Sequence, residues 1–244
     1  MTLQERAQAL GLHGLLANWD RWADADWLSP FLEEEEKARH ARSLQRRIAS
    51  AKIGRFKGLS DFDWNWPEEI DRAQIEELCG LEFARDGGNV AIVGPNGVGK
   101  TLIAKNLAYL AALAGHTVLY TTASKMLNEL GSKDSARTLS SSIRKYCRPA
   151  VLVVDEVGYL SYSTRAADLF FEVVSGRYET KSIVLTTNRS FRDWDQVFPS
   201  ATSVVTLVDR LLHHAEVVSI KGESYRQKER KEQAARRASR RAKK

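Results

Sequence analysis

The sequence predicts an α/β fold, a parallel sheet with helices on both faces, preceded by a small all-helical domain. Three observations carry that expectation. Short apolar runs at 90–93, 117–121, 151–155, 182–187 and 216–220 alternate with helix-like stretches, and such alternation calls for parallel strands joined by right-handed crossovers. The first run leads through Gly94-Pro95-Asn96-Gly97-Val98-Gly99-Lys100-Thr101 into a helix-like stretch, the strand-to-helix setting that a G-x-x-x-x-G-K-[ST] loop requires. Before residue 59 the apolar spacing is helical instead.

In chain order, Leu3, Leu10, Leu15 and Leu16 space as an apolar helical face, and Ser29-Pro30 reads as an N-cap followed by proline at the first helical position. Glu33 with Lys37 and Glu35 with Arg39 stand four apart, a supporting spacing. From Lys37 to Lys57 the apolar Leu44, Ile48 and Ala51 recur on one side. Residues 1–58 therefore read as a helical domain for DNA binding or oligomerisation, and 59–67 as a linker. A new helix is expected from Trp66-Pro67-Glu68-Glu69. Trp64 and Trp66 are open to two readings, base-stacking pair or junction core. Residues 68–225 form the α/β body, in which the helix after Lys100 is expected to end at Gly115 as its C-cap. Residues 226–244 read as a basic, disordered tail, and no internal repeat is visible.

Charge is unevenly placed. The chain carries a net +6, yet residues 226–244 hold ten Lys/Arg against two Glu, which leaves 27 basic and 29 acidic groups for the rest. Lys37 to Lys57 hold eight Lys/Arg and no acid. Compact basic segments on a mildly acidic body suit contacts to a phosphate backbone, where clustered cations gain affinity by releasing counterions. Arg39, Arg42, Arg46, Arg47, Lys52, Arg55 and Lys57 are the candidates; a solvated surface is the plain alternative. No base-reading motif is evident, so recognition is expected to be largely independent of sequence. Cys79 and Cys147 sit in no metal or redox spacing, which suggests a reducing, cytoplasmic location. The N-terminus lacks an export pattern and the longest apolar stretch, Leu107 to Leu113, is far short of a membrane span.

The loop at Gly94, Pro95, Asn96, Gly97, Val98, Gly99, Lys100 and Thr101 carries the chemistry. Several backbone N–H groups must approach a triphosphate together, which glycines permit, while the helix start adds unpaired donors and the positive end of its dipole. Lys100 then reaches the outer phosphates and the Thr101 hydroxyl sits on Mg²⁺. A small-molecule kinase, a GTPase and an ATPase all share such a loop. Val151-Leu152-Val153-Val154-Asp155-Glu156 decides between them: an apolar strand ends in two acids, so that Asp155 can hold the Mg²⁺ water shell and Glu156 can activate a water. Asn188, ending the run from Ser182, fits a sensor of the γ-phosphate, although Asn after a strand is also an ordinary turn former. Arg210 and Arg226 offer fixed charged forks for phosphate, from a neighbouring subunit or from the same chain, or simply surface ion pairs.

These motifs, with Val153 to Leu160, Arg177-Tyr178-Glu179, Trp194, Asp209 to His213 and Gly222 to Arg226, resemble the IstB family. Its members are AAA+ ATPases of insertion sequences, related to DnaC-type helicase loaders. The resemblance implies ATP and Mg²⁺ as ligands, self-assembly into a homo-oligomer on double-stranded DNA, and recruitment of a cognate transposase. By motif position it implies that Lys100, Glu156, Asn188 and Arg210 serve hydrolysis, Arg210 as a finger acting in trans. Thr101 and Asp155 would hold the metal, and Arg226 would be a second sensor. A typical AAA+ module adds a helical lid after its sheet, but Lys221 to Lys244 offers almost no apolar side chain except Tyr225 and alanines. The lid is expected to be reduced or absent. A replicative helicase loader is the alternative function; a metabolite kinase fits poorly with the Asp155-Glu156 pair.

Overall fold

A computed structural model describes residues 1–159, 162–198, 202–230 and 232. Its contacts divide the chain into Met1–Ala49 and a second unit that begins at Ser50. The segment expected as a linker, 59–67, belongs to that second unit. The tail expected at 226–244 is described only in part: residues 225–230 are helical, and Lys231 and 233–244 lie outside the described residues.

In the first unit, helix α1 (Leu3–Ala9) opens with a reciprocal cap. The Glu5 N–H donates to Thr2 Oγ1 at 3.2 Å while the Thr2 N–H donates to the Glu5 carboxylate at 2.8 Å, which satisfies two donors that a helix start leaves free. Helices α2 (His13–Leu16), α3 (Trp19–Trp22) and the long α4 (Leu28–Ala51) follow. Ala7, Leu10, Leu28 and Leu32 make the core of this unit, and Arg6 grips both Glu36 carboxylate oxygens at 2.9 Å. The expected cap at Ser29 is corrected: α4 begins at Leu28, and the Phe31 N–H reaches the Trp27 carbonyl at 3.0 Å. Pro30 then lies in the first turn, where a missing N–H loses no helical bond. Lys37 pairs with Glu34 at 2.8 Å rather than with Glu33, whereas Arg39 meets Glu35 at 2.6 Å as the spacing predicts. Positive φ values of 56° at Lys52 and 70° at Gly54 follow the end of α4.

The second unit runs β1 (Glu69–Ile70), α5 (Arg72–Leu78), α6 (Glu82–Asp86), β2 (Asn89–Val93), α7 (Lys100–Leu113), β3 (Val118–Thr122), α8 (Ala123–Gly131), α9 (Ala136–Cys147), β4 (Val151–Val157), α10 (Thr164–Ser175), β5 (Ser182–Thr187), α11 (Trp194–Val197), α12 (Ser203–Leu212) and β6 (Ala215–Lys221). The strands order as β1-β6-β2-β5-β4-β3. All neighbours are parallel except β1, which pairs antiparallel with β6. The helix expected from Trp66 is therefore corrected: Glu69 and Ile70 bond to Lys221 and Ile220, and α5 starts only at Arg72, capped by Asp71. The five strands read from the sequence are all present, each within one or two residues of its expected ends.

Strand alternation puts Ala91, Leu152, Val154, Ile183 and Leu185 on one face in a core shared with α8, α10, α11 and α12. Helix α7 packs against β2, β3, β4 and β5, with Ile103, Ala104, Leu107, Ala108 and Ala111 all buried. Asp71, Thr122, Ser135 and Ser163 cap α5, α8, α9 and α10 by accepting a backbone N–H in the first turn. Among the described residues no helix is long and apolar enough to cross a membrane, and those after β6 include a helical stretch, 225–230.

The end of the sheet opposite the glycine-rich loop is held by one side chain. Arg177 is fully buried and donates to the carbonyls of Tyr146 (2.8 Å), Pro149 (2.9 Å), Ala150 (3.0 Å) and Ser182 (2.6 Å), which ties the entries of β4 and β5 together. Leaving a buried carbonyl unpaired costs about 1–3 kcal/mol, so Arg177→Met is expected to lower unfolding free energy by at least about 3 kcal/mol. Urea unfolding checks this, and a loss below about 1 kcal/mol would mean that water or other donors replace the guanidinium.

Candidate nucleotide-binding site

The loop 94–101 joins β2 to α7 in a setting too tight for side chains at its glycines. A Cβ on Gly94 would stand 2.3 Å from the Ile220 carbonyl oxygen; on Gly99, whose φ is 107°, it would stand 2.3 Å from the Phe62 ring. Gly97, with φ of 86°, has Ser224 equally close. Val98 is buried, and Pro95 and Asn96 are exposed at the tip. The glycines thus serve two purposes, the turn itself and the close passage of Phe62 and Ser224.

Lys100 opens α7 and is itself buried. Its Nζ donates to the carbonyls of Gly94 and Pro95, both at 2.7 Å. Burial, aided by the nearby Arg226 charge and opposed by Asp155 and Glu156, lowers its pKa to about 8. Thr101 follows, and its hydroxyl donates to Asp155 Oδ1 at 3.1 Å.

Asp155 is 1% exposed, and three hydroxyls converge on its carboxylate: Thr101, Tyr120 at 2.5 Å, and Thr186. Glu156 differs completely from its neighbour. It is exposed, its φ is 62°, and the pairing of β4 with β5 slips between Val154 and Val157. This bulge turns the Glu156 side chain into the cavity, with its N–H held by Thr186 Oγ1 at 2.9 Å. Because β5 lies between β2 and β4, its end delivers Asn188 between the loop and Glu156. The buried Asn188 Oδ1 has no hydrogen-bond partner among the described residues.

The cavity so formed has a volume of about 400 Å³, within the usual range for small ligands. Two segments that the sequence did not single out as a pair close it, one before β1 and one after β6. Phe56, Phe62, Trp66 and Tyr225 supply aromatic walls. Trp66 Nε1 donates to the Glu223 carbonyl at 2.9 Å, the Tyr225 N–H donates to the Gly97 carbonyl at 3.0 Å, and Lys228 meets Asp63 at 3.0 Å while lying over the Trp66 ring. Asn106 of α7 receives the Leu59 N–H at 3.0 Å. Trp64 is half-buried, packed on Phe62 with ring centroids 4.7 Å apart and with Arg72 over its ring, whereas Trp66 lines the cavity. Tyr120 and Thr186 were also missed, since a hydroxyl on an apolar strand gives no periodic signal.

Of the other predicted residues, Arg226 lines the cavity and Arg210 does not. Strands β2 and β6 run in register from Asn89–Ala215 to Val93–Ser219, and Arg210 lies just before Ala215. It is therefore at the sheet edge opposite the loop that follows Val93. There it is bonded to Ser175 Oγ and stacked on Phe171 at 4.9 Å. The basic candidates divide as well. Arg39, Arg42 and Arg46 are exposed and line one groove along α4, and Arg47 donates to Ser43 Oγ at 2.8 Å. Lys52 is exposed beyond α4, while Arg55 and Lys57 belong to the wall of the nucleotide cavity.

A phosphate loop, a buried strand-end Asp followed by Glu, and a further strand between them define the class: a P-loop protein of the AAA+ type. Comparison then gives the family, for a model of IstB-like ATP binding proteins matches residues 1–234 and the chain belongs to that family. It is 37% identical over 206 residues to an IS21 insertion-sequence protein of Pseudomonas aeruginosa named for ATP binding, covering 84% of this chain and 78% of that one. A similarly named IS5376 protein of Geobacillus stearothermophilus is 34% identical over 207 residues, 85% of this chain and 82% of that one. Among solved structures, DnaI superposes with a TM-score of 0.57 at 20% identity, over 70% of this chain and 93% of its own. The replication initiator DnaA, bound to AMPPCP and single-stranded DNA, gives 0.53 at 21% identity over 67% and 52%. At these identities the structures show a shared fold.

The state of Lys100 predicts a pH dependence. Its folded pKa of about 8 lies below the ordinary 10.5, so unfolded chain holds the proton more tightly and this residue's contribution to stability rises with pH between those values. Phosphate, in contrast, needs the ammonium. Triphosphate affinity is expected to be flat from pH 6.5 to about 7.5 and to fall toward about tenfold per pH unit above 8. Titration with a fluorescent nucleotide checks this; an affinity unchanged to pH 9.5 would contradict it.

Proposed function

We propose that this chain is an ATP-hydrolysing, DNA-binding transposition helper, which assembles through ATP on double-stranded DNA and presents it to a cognate transposase. The observation that carries the reading is the separation of Arg210 from its own cavity. Where a P-loop site takes its arginine finger from a neighbouring copy, the nucleotide becomes part of the contact between copies, and the place of Arg210 away from its own cavity suits that arrangement. Assembly and hydrolysis then depend on one another.

Within one chain the division of labour follows from the geometry. The loop N–H groups and Lys100 bind the phosphates. Thr101 and Asp155 offer a hydroxyl and a carboxylate 3.1 Å apart, hard oxygen donors that suit Mg²⁺, partly through its water shell. Bound there, the ion would neutralise charge developing on the phosphate oxygens. Glu156 orients a water and accepts its proton, and Asn188 donates from Nδ2 to the γ-phosphate while its Oδ1, unpartnered among the described residues, accepts from that water. Arg226 stands beside Lys100 as a second contact to phosphate. The aromatic walls, with Phe56, Phe62, Trp66 and Tyr225, suit an adenine ring.

Membership of an insertion-sequence family supports DNA as the substrate of assembly. The exposed Arg39, Arg42 and Arg46 form a stripe along α4 that can follow a phosphate backbone without reading bases, with Arg47 and Lys52 beside it. The fold shared with DnaI and the DnaC helicase loader favours a second reading, delivery of a replicative helicase. A pull-down against each class of enzyme separates the two.

The finger is tested by complementation. Lys100→Ala and Arg210→Ala proteins should each lose ATP turnover, and Lys100→Ala should also lose ATP-dependent assembly on DNA, seen by sedimentation. Mixing the two should restore part of the turnover, because each Lys100→Ala subunit offers its Arg210 to an intact site. A mixture as inactive as its parts would remove the trans role. For the DNA contacts, about six to eight neutralised phosphates predict a slope of log affinity on log salt of roughly −5 to −7, and a slope near zero would make the basic stripe irrelevant.

A further inference from the structure

The sheet edge that carries Arg210 also carries a group of side chains that neither nucleotide nor DNA binding uses. Glu179, His213 and His214 each offer one ligand atom, and these atoms lie within 4.8 Å of one another. Glu179 Oε1 is 3.6 Å from His214 Nε2 and 3.9 Å from His213 Nδ1. The two imidazoles are adjacent, with ring centroids 4.0 Å apart.

Both carriers of these ligands are fixed to the core. Glu179 sits in a turn at φ 56°, a conformation rarely adopted without support. Thr180 and Lys181 close that turn on the carbonyl of the buried Arg177, at 3.0 and 2.9 Å. His213 and His214 follow α12, where the Asn89 side chain donates to the Leu211 carbonyl at 3.0 Å and the Asn89 N–H to the His214 carbonyl at 2.8 Å. The Tyr178 hydroxyl meets His213 Nδ1 at 2.6 Å and its ring stacks on the imidazole; that hydroxyl has to turn away for Nδ1 to ligate a metal.

A second observation concerns charge. His214 and Glu179 border a cavity whose other ionisable walls are Glu82, Asp86 and Glu216, with no Lys or Arg among the lining residues described. The carboxylates on its walls thus set a locally negative potential. Such a potential favours a cation, and the ligand types favour a particular kind. Two imidazoles and a carboxylate suit Zn²⁺ and its late first-row neighbours, whereas Mg²⁺ and Ca²⁺ prefer all-oxygen sites. Ligand atoms around tetrahedral Zn²⁺ stand about 3.3 Å apart, from bonds of about 2.0–2.1 Å. The two Glu179–His separations exceed this by about 0.3 and 0.6 Å, the third lies within 4.8 Å, and all three side chains are exposed.

We propose that Glu179, His213 and His214 bind one transition dication, Zn²⁺ by their chemistry, with its fourth position open toward the acidic cavity. The site is distinct from the Thr101–Asp155 pair and does not depend on the assignment of ATP or DNA.

The test uses full-length protein freed of metal with EDTA, dialysed, and kept without nucleotide, which itself chelates zinc. Calorimetric titration with ZnCl₂ at pH 7 should show one equivalent bound, and Co²⁺ should give a tetrahedral ligand-field spectrum. Glu179→Gln, His213→Gln and His214→Gln should each weaken Zn²⁺ by at least about tenfold, a loss seen even for outer contacts to such sites, with unchanged circular dichroism. His40→Gln should match the parent, and millimolar Mg²⁺ should not displace the ion. Wild type that takes up no Zn²⁺, or a triple variant that binds it as tightly as wild type, would overturn the proposal.

Discussion

The buried Asp155 carboxylate is the constraint on which the rest of the site depends. Taking a carboxylate out of water costs several kcal/mol unless hydrogen bonds replace the lost hydration. Here the replacements come from three elements: Thr101 at the start of α7, Tyr120 on β3 and Thr186 on β5. A single charge therefore ties the phosphate loop to both strands that flank β4. The same need explains why hydroxyl residues interrupt otherwise apolar strands. It also explains the asymmetry between two adjacent acids, since Asp155 is locked in the sheet and only the bulged Glu156 reaches open space.

The absence of an apolar continuation after β6 among the described residues creates a second requirement, for something to cover the phosphate loop. The chain meets it with short segments rather than a helical bundle. Residues 55–66 and 223–229 approach from opposite ends of the unit and are joined by Trp66 to Glu223, Lys228 to Asp63 and Lys57 to Glu229 at 3.4 Å. Surface ion pairs of this kind contribute little individually. The close approach of Phe62 and Ser224 rests on Gly99 and Gly97, because a Cβ at either position would collide with them.

Much of this was legible in the sequence because it rests on local pattern. Five strands, the loop, the Asp155-Glu156 pair and the Asn188 position all follow from apolar runs and their polar ends. What escaped detection rests on long-range pairing. Glu69–Ile70 has no strand pattern of its own and is a strand only because β6 offers an open edge. Trp66 and Tyr225 are 159 positions apart in a chain of 244 residues, and nothing short of the folded sheet brings them together. Arg177 read as one arginine in a motif, whereas its burial makes it the tie between two strands. The roles of Arg55 and Lys57 were blurred because charge composition records a basic segment and not the direction in which its members point.

Arg210 places a geometric condition on any assembly that uses it. The cavity and Arg210 stand at opposite edges of one sheet, so a two-fold dimer that brought one finger to one site would have to bring both edges of each copy to a single contact. A head-to-tail contact has no such difficulty: each copy gives its Arg210 edge to the next copy's cavity. Contacts of that kind repeat, either closing as a ring or continuing as a helix. In the assembly proposed above, each copy would also bring its own first unit. Under that proposal a stripe of three exposed arginines would hold a duplex weakly by itself, and the same stripe repeated along a phosphate backbone would multiply its effect through linked binding. Nucleotide in the cavity would thereby control DNA affinity without touching DNA, by deciding how many stripes act together.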